Sequence, residues 1–263
     1  MRDRRRKIVV AIQARMGSSR LPGKILISIC GRPLLEHIIT NLKGSSLINE
    51  ICVATTDNRK DDELAAYLEN KGIGYFRGSE NDIVSRLYHT ALKFNADTLV
   101  RVWGDCPLIT APIVDRLLEE YLAVRADFAS NDNPATYPLG MNAEVYRFKT
   151  LEDIFNGTQD PFYREFPFEY IKDHPEFKAV YVSYNKDVSH FNLTVDYPQD
   201  LEVISEIITQ LSSNGGKVEL KNIIDFCEKN AYLFKKTEDL SRNIEYKNSL
   251  RLREKNKDSL KRR

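Results

Sequence analysis

Short apolar runs alternate with amphipathic stretches from the start of the chain, and this alternation restricts the fold more than any other sequence feature. Residues 8–14, 51–55, 73–76 and 98–103 are apolar runs of strand length, as expected for strands buried on both faces of a parallel sheet. Apolar residues at helical spacing follow each run, at 33–43, 61–72, 82–94 and 112–124. Four β-α units within about 125 residues predict an α/β fold with a mostly parallel sheet and helices on both faces.

The pattern is looser beyond residue 125. It predicts short strands at 127–130, 143–148, 177–183 and 191–195, and helices around 161–172, 198–211 and 220–230. We therefore expect the same sheet to continue, with an added substrate-side part. The predicted organisation is a basic tail at 1–7, one domain at 8–235 with a first part at 8–125 and a second at 126–210, and a polar basic tail at 236–263.

Composition and charge exclude several classes of protein. Residues 1–7 hold five basic side chains and one acidic one, and residues 251–263 hold seven basic and two acidic ones, whereas the whole chain has a net charge of +1. The body is therefore acidic, which argues against nucleic-acid binding and leaves the basic ends as solvated tails. The four cysteines form no C-x-x-C pair, so a disulfide framework and a zinc site are both disfavoured. No apolar run approaches the roughly 20 residues of a membrane helix, and no signal peptide is evident. We expect a cytoplasmic protein with no membrane insertion.

The connection after the first predicted strand carries the most chemical information. Residues 13–24 read QARMGSSRLPGK and combine Arg15, Arg20 and Lys24 with small residues. Glycines let backbone amides approach an anion and the cations neutralise it, so the loop is typical of a phosphate site at the carboxyl end of a parallel strand. The spacing fits neither a Walker A motif nor the dinucleotide fingerprint. A solvated basic loop is the alternative.

Five motifs in order carry a resemblance to a known family. Residues 15–24 (RMGSSRLPGK) match the signature R-M-G-S-x-R-L-P-G-K, and VATTD at 53–57, FRGS at 76–79, GDCPL at 104–108 and LTVDYPQDL at 193–201 follow. Through residues 8–210 the chain resembles the CMP-sugar synthetases, above all the spore-coat polysaccharide (SpsF-type) cytidylyltransferase-like proteins. It is also similar to the 3-deoxy-manno-octulosonate and acylneuraminate cytidylyltransferases.

The resemblance implies a fold, a reaction and a set of site residues. The fold would be a three-layer α/β/α nucleotide-diphospho-sugar transferase (Rossmann-like) fold, with a mixed, mostly parallel sheet and a sugar-side insertion. The activity would be Mg²⁺-dependent transfer of CMP from CTP to a sugar, sugar acid or similar small acid for surface or cell-wall polysaccharide synthesis, by a homodimer. The implied residues are Arg15, Lys24 and Asp105 for catalysis; Asp105 and Asp196 for the metal; Ala14, Gly17, Ser18, Arg20, Thr55, Ser79 and Arg86 for the nucleotide; and Tyr137, Asn142, Glu144 and His190 for the acceptor.

Several alternatives stay open from the residues alone. By position, Asp105 and Asp196 could each cap a following helix, and Asp200 is typical of a helical first turn. The chain has Leu139 and Asn142 where relatives usually have aspartate, which leaves the acceptor undefined. A glycosyltransferase of related fold is disfavoured because no two aspartates stand two residues apart. A non-catalytic nucleotide-binding protein is the remaining alternative.

Overall fold

The computed structural model describes residues 6–213, 218–237, 239–240 and 243–261. Its nine strands within that part of the chain are β1 (Ile8–Gln13), β2 (Ser28–Ile29), β3 (Arg32–Pro33), β4 (Glu50–Thr56), β5 (Tyr75–Gly78), β6 (Thr98–Trp103), β7 (Phe128–Ser130), β8 (Glu144–Arg147) and β9 (Ala179–Tyr181). The α-helices are α1 (Leu34–Leu42), α2 (Asp62–Asn70), α3 (Ile83–Lys93), α4 (Ala111–Val124), α5 (Phe148–Gly157), α6 (Pro161–Glu165), α7 (Pro167–Asp173), α8 (Pro198–Ser213), α9 (Leu220–Lys229) and α10 (Ile244–Lys261). In these ranges no helix is long and apolar enough to cross a membrane.

Seven strands form one sheet in the order β5-β4-β1-β6-β8-β7-β9. Strand β1 lies between β4 and β6 and is parallel to both. Strand β8 runs antiparallel to β6 and β7, and β9 is parallel to β7. The carboxyl ends of β1 and β6 therefore meet at one edge of the sheet, where open α/β sheets bind ligands.

Side chains of β1 alternate between two apolar layers. Val10 and Ile12 face the layer that contains α1, α4, α8 and α9, whereas Val9 and Ala11 face the layer that contains α3 and α5. Both layers are buried, so the run had to be apolar at every position. The three-layer α/β/α fold predicted from the sequence is confirmed.

In the second half one helix was not predicted and one helix prediction was wrong. The strand expected at 143–148 is β8, to within one residue at either end, and Phe148 begins the unpredicted α5 because Phe148, Leu151 and Ile154 recur at helical spacing and pack against α3. The helix expected at 161–172 is two helices, because Pro167 disfavours helical geometry in the residue before it.

The segment 191–195 is not the strand that its apolar residues predicted. It makes one isolated bridge, between Leu139 and Asn192. In addition, the Val195 amide donates to the Asp105 carbonyl at 2.9 Å and the Val195 carbonyl accepts Lys24 Nζ at 2.7 Å. A loop can keep such residues buried because tertiary packing, and not strand pairing, covers them.

The ends of the chain differ in how far the structure describes them. Most of the predicted N-terminal tail, residues 1–5, lies outside the described residues. The C-terminal region, expected to be a polar tail, contains α10 instead. The Tyr246 ring packs 5.1 Å from Phe166, and the Arg253 guanidinium lies 4.0 Å from the Tyr163 ring.

Candidate active site

A buried carboxylate holds the loop that follows β1. Asp61 is 2% exposed; it accepts the Met16 amide at 2.6 Å on one oxygen and the Thr56 hydroxyl on the other. The Met16 carbonyl in turn accepts the amides of Ser18 and Gly23, each at 2.9 Å. Gly23 has a φ of +70°, a left-handed conformation that favours glycine. These contacts turn the loop back over the end of β1. From the sequence, Asp61 was expected only to begin the helix at 61–72, and its contact with the loop was not predicted.

Lys24 lies between the two aspartates that the sequence singled out. Its Nζ donates to Asp105 Oδ2 at 3.1 Å, Asp196 Oδ1 at 3.0 Å and the Val195 carbonyl at 2.7 Å. Burial disfavours the ammonium, but the charges of the two aspartates outweigh it and raise the pKa of Lys24 above its ordinary value. The lysine is therefore a fixed positive charge at the carboxyl edge of the sheet.

Two backbone arrangements bring these aspartates together. Asp105 follows β6 directly after Gly104, where a Cβ would lie 2.9 Å from Ala14 Cβ and 3.0 Å from the Gln13 carbonyl. Asp196 is held by Asp200, whose Oδ2 accepts the amides of Asp196 at 2.9 Å and Tyr197 at 2.8 Å. Asp200 thus takes the amides that precede α8, as its first-turn position predicted.

Asp105 and Asp196 do not act as helix caps. Thr110 precedes α4, five residues after Asp105. The carboxylate of Asp196 instead pairs with Lys24 and with Arg20 Nη2, at 3.0 and 2.8 Å. The alternative that both aspartates are only capping residues therefore does not agree with the geometry.

Two arginines complete the basic edge of the site. Arg20 lies 5.0 Å from the centre of the Tyr197 ring. Burial opposes its charge, but Asp196 and Tyr197 outweigh this effect and raise the pKa of Arg20. Arg15 Nη1 pairs with Glu80 Oε1 at 3.0 Å, and Asn58 Nδ2 holds the other oxygen of that carboxylate at 2.9 Å. Both arginines line one cavity with Lys24.

This first cavity has a volume of about 600 Å³ and contains part of the predicted nucleotide set. Its lining includes Ala14, Arg15, Ser18, Arg20, Lys24, Arg86, Asp105 and Asp196. Gly17, Thr55 and Ser79 do not line it. Thr55 is fully buried within the sheet, and Ser79 receives the Asp82 amide on its hydroxyl at 3.1 Å. Burial lowers the pKa of Arg86 to about 10, with Arg101 and Arg15 adding to the effect.

A second cavity of about 380 Å³ adjoins the first and contains part of the predicted acceptor set. Asn142 and Glu144 line it, but Tyr137 and His190 do not. The Tyr137 side chain is buried against Tyr184, with ring centres 5.3 Å apart. His190 is exposed and packs on Phe191, with ring centres 4.1 Å apart. These two residues were chosen for their position in the chain, and the fold places both side chains outside the cavity.

Arg101, which was not predicted from the sequence, connects the two cavities. Its Nε donates to Gln13 Oε1 at 2.9 Å, its Nη1 donates to Glu144 Oε2 at 3.0 Å, and its guanidinium lies 4.6 Å from the Trp103 ring. A charged residue inside the apolar run of β6 was the available signal, because a buried charge requires a partner. Tyr246, also missed, enters both cavities from α10.

The aspartate pair offers oxygen ligands to a hard cation. Asp105 Oδ1 contacts the Cys106 thiol at 3.4 Å, a weak donor that a cation can replace. In the described ranges no group of three His, Cys, Asp or Glu side chains could hold a metal ion. Two carboxylates fit Mg²⁺ when substrate phosphates and water supply its remaining ligands.

Comparisons with known proteins agree with this geometry. A family model described as cytidylyltransferase matches residues 9–240. The chain is 29% identical over 231 residues to the spore coat polysaccharide biosynthesis protein SpsF of Bacillus subtilis, covering 79% of this chain and 95% of that protein. A solved cytidylyltransferase from Leptospira borgpetersenii has a TM-score of 0.81 and 30% identity, covering 90% of this chain and 99% of that one. CMP:2-keto-3-deoxy-manno-octonic acid synthetase, solved with CTP, has a TM-score of 0.59 and 21% identity, covering 78% of this chain and 99% of that one, which shows a shared fold.

Proposed function

The chain belongs to the cytidylyltransferase family, and we propose that it transfers CMP from CTP to a sugar, sugar acid or similar small acid, with Mg²⁺, and releases pyrophosphate. The observation that carries the proposal is the position of Lys24 Nζ, 3.1 Å from Asp105 and 3.0 Å from Asp196. A cation and two carboxylates at one cavity edge can bind a triphosphate together with its metal ion. Two similar proteins support the finer assignment, since one is a spore coat polysaccharide biosynthesis protein and the other was solved with CTP.

The basic residues would hold the phosphates of CTP. Arg15, Arg20 and Lys24 line the first cavity together with Ser18 and Ser19 of the same loop. In the reaction, the acceptor hydroxyl attacks the α-phosphorus, a new O–P bond forms, and the bond to the bridging oxygen of the β-phosphate breaks. The hydroxyl proton is released, and pyrophosphate leaves with the bridging oxygen. Fixed positive charges stabilise the charge that grows on pyrophosphate, and this positioning supplies most of the catalysis.

Asp105 and Asp196 would hold Mg²⁺. When bound, the ion supplies charge neutralisation at the phosphate oxygens. Lys24 now takes the position between the two carboxylates, so its ammonium is well placed to move to the phosphates when they arrive. Asp200 keeps the Asp196 main chain in place through its two amide contacts. The expected homodimer and the expected cytoplasmic location stay predictions of the family resemblance.

Nucleotide choice and pyrophosphate release test the proposal. In calorimetry CTP should bind more tightly than ATP, GTP or UTP, and equal or tighter binding of UTP would overturn the cytidylyl assignment. Pyrophosphate release should require CTP, Mg²⁺ and an acceptor from a panel of sugars and sugar acids. A nucleotide-binding protein without activity would bind CTP and release none with any acceptor.

The metal assignment has its own test. Asp105→Asn, Asp196→Asn and the double variant should fall to a similarly low rate with weaker Mg²⁺ dependence, because residues that act as one unit are strongly non-additive. Asp187→Asn, at an exposed loop carboxylate outside both cavities, is the matched control. Near-normal turnover and Mg²⁺ response in Asp196→Asn would leave Asp196 as a positioning residue for Lys24 and Arg20.

A further inference from the structure

We infer that the second cavity selects an acceptor that carries a protonated amine, and that Asp132 is the carboxylate that pairs with this amine. The inference deepens the proposed function, on which it rests, by naming the chemical class of the acceptor. Its basis is the distribution of charge and aromatic surface around the cavity.

Aromatic rings make up much of the cavity lining. Phe128, Phe166, Phe168, Tyr181 and Tyr246 all line it, and we call these five residues the aromatic wall. Phe166 and Phe168 lie 5.1 and 5.6 Å from Tyr246, and Phe128 lies 6.4 Å from Tyr181. The Tyr246 hydroxyl donates to Glu169 at 2.8 Å, which fixes this ring across the cavity. The face of an aromatic ring attracts a bound cation, but it does not attract a bound carboxylate in the same way.

Both basic side chains of this cavity already have acidic partners. Arg101 pairs with Glu144 at 3.0 Å, and both side chains are about 95% buried. Lys172 Nζ pairs with Glu169 Oε1 at 2.6 Å, the oxygen that also accepts Tyr246. An acceptor carboxylate would have to break one of these pairs, and breaking the buried pair would leave a charge without compensation.

Asp132 is the carboxylate of this cavity that lacks such a partner. Its Oδ1 accepts the Asn142 amide at 2.5 Å, and within the described part of the chain it forms no ion pair. Asp132 is an exposed residue, but partial desolvation of its carboxylate and the charge of Glu144 raise its pKa to about 6, while the Asn142 amide and the Lys172 ammonium act in the opposite direction. The carboxylate is thus ionised at pH 8 and can pair with a bound cation.

An ammonium group satisfies each of these observations. It would pair with Asp132 and lie against the aromatic wall, where partial desolvation strengthens cation–π attraction. A carboxylate on the acceptor would face Asp132 and Glu144 instead. The same cavity contains Asp105 at its border with the first cavity, so the hydroxyl of a small bound acceptor lies close to the phosphate site.

Trp103, the single tryptophan of the chain, lines both cavities and reports binding through its fluorescence. The probes are glucosamine, N-acetylglucosamine and glucuronate, titrated at pH 8 without nucleotide. We expect glucosamine to bind about tenfold more tightly than the other two probes, because a hydrogen bond to a charged group is stronger than one between neutral groups. At pH 8 part of the glucosamine amine is neutral. The preference for glucosamine should therefore be stronger when the titration is repeated at pH 7.

Variants separate the contribution of the Asp132 carboxylate from that of the aromatic wall. Asp132→Asn should remove the preference for glucosamine, Phe168→Leu should weaken it about two- to fivefold by removing a ring face, and Asp187→Asn should leave it unchanged. Binding of glucuronate as tight as that of glucosamine, absence of glucosamine binding, or a preference that survives in Asp132→Asn would overturn the inference. CTP binding is measured in a separate titration. Failure to bind CTP would contradict the proposed function, whereas the preference for glucosamine is read from the acceptor titrations alone, so the two proposals can fail independently.

Discussion

Replacing Lys24 with methionine should expose how much the fold depends on its charge. The side chains of Lys24 and Asp196 are 13% and 11% exposed, and that of Asp105 is 26% exposed. Methionine keeps most of the lysine volume but removes the ammonium. Two carboxylates, now separated only by an apolar side chain, would then repel each other and face the Val195 carbonyl, which also loses its donor.

The cost follows from the burial of these groups. Removing one partner of a buried ion pair costs about 3–5 kcal/mol, and the partial exposure of Asp105 favours the lower end. A loss of about 3 kcal/mol corresponds to a fall in Tm of about 6–12 °C for a chain of this size.

The pH range of the effect follows from the direction of the pKa shift. The pKa of Lys24 is raised above its ordinary value of 10.5, so the lysine contributes its full stability below that value. The contribution is lost only as the pH rises through the higher pKa of the folded state. The difference in Tm between Lys24→Met and the parent protein should therefore be constant from pH 7 to pH 9.

Added Mg²⁺ should partly replace the lost charge. A cation that binds the folded state raises Tm according to its concentration and affinity, and the two carboxylates no longer have Lys24 as a competitor, although Arg20 still pairs with Asp196. Differential scanning calorimetry with and without Mg²⁺ should show a larger increase in Tm for Lys24→Met than for the parent. Lys186→Met, at an exposed pair with Glu228, is the matched control and should leave Tm unchanged. Parental stability of Lys24→Met, or an equal response to Mg²⁺, would refute the reasoning.

Two further predictions concern the backbone around the site. Asp61→Asn should weaken CTP binding in calorimetry, because the charge that accepts the Met16 amide at 2.6 Å is lost; unchanged affinity would show that the loop keeps its shape without it. Gly104→Ala should lower the denaturant midpoint, because its Cβ would lie 2.9 Å from Ala14 Cβ, whereas Gly44→Ala, whose nearest contact is at 3.9 Å, should have little effect. Equal midpoints for the two alanine variants would contradict the close packing at β6.

The sheet and its first helices could be predicted because each is specified by local sequence. Strand β6 was predicted with the bounds that the structure has, since its run is apolar and ends at a glycine. Strand β1 and helix α3 were each predicted to within about a residue at either end, because a buried strand and an amphipathic helix have different apolar spacing. The loop after β1 was also recognisable as a candidate phosphate site, because its cations and glycines lie close together within residues 15–24.

The acceptor side could not be predicted in the same way, because its contacts join distant parts of the chain. Arg101 and Glu144 are 43 residues apart and meet across an antiparallel strand pair that no local pattern specifies. Tyr246 reaches the cavity from a helix whose sequence looks like a solvated tail. His190 shows the opposite error, since a position near a family motif does not fix the direction of a side chain.

Asp196 shows how the site can form without the strand that was expected to carry it. Asp105 is fixed by β6 and by the close packing at Gly104, so its carbonyl is a rigid acceptor. The Val195 amide bonds to that carbonyl at 2.9 Å, and together with the bridge between Leu139 and Asn192 this bond places the next residue, Asp196, beside Asp105. Asp200 then holds the Asp196 and Tyr197 amides, so the segment is fixed at both ends although it lacks strand pairing. In the proposed function, a carboxylate carried by such a loop can adjust to a bound metal and triphosphate more readily than one within a central strand of the sheet.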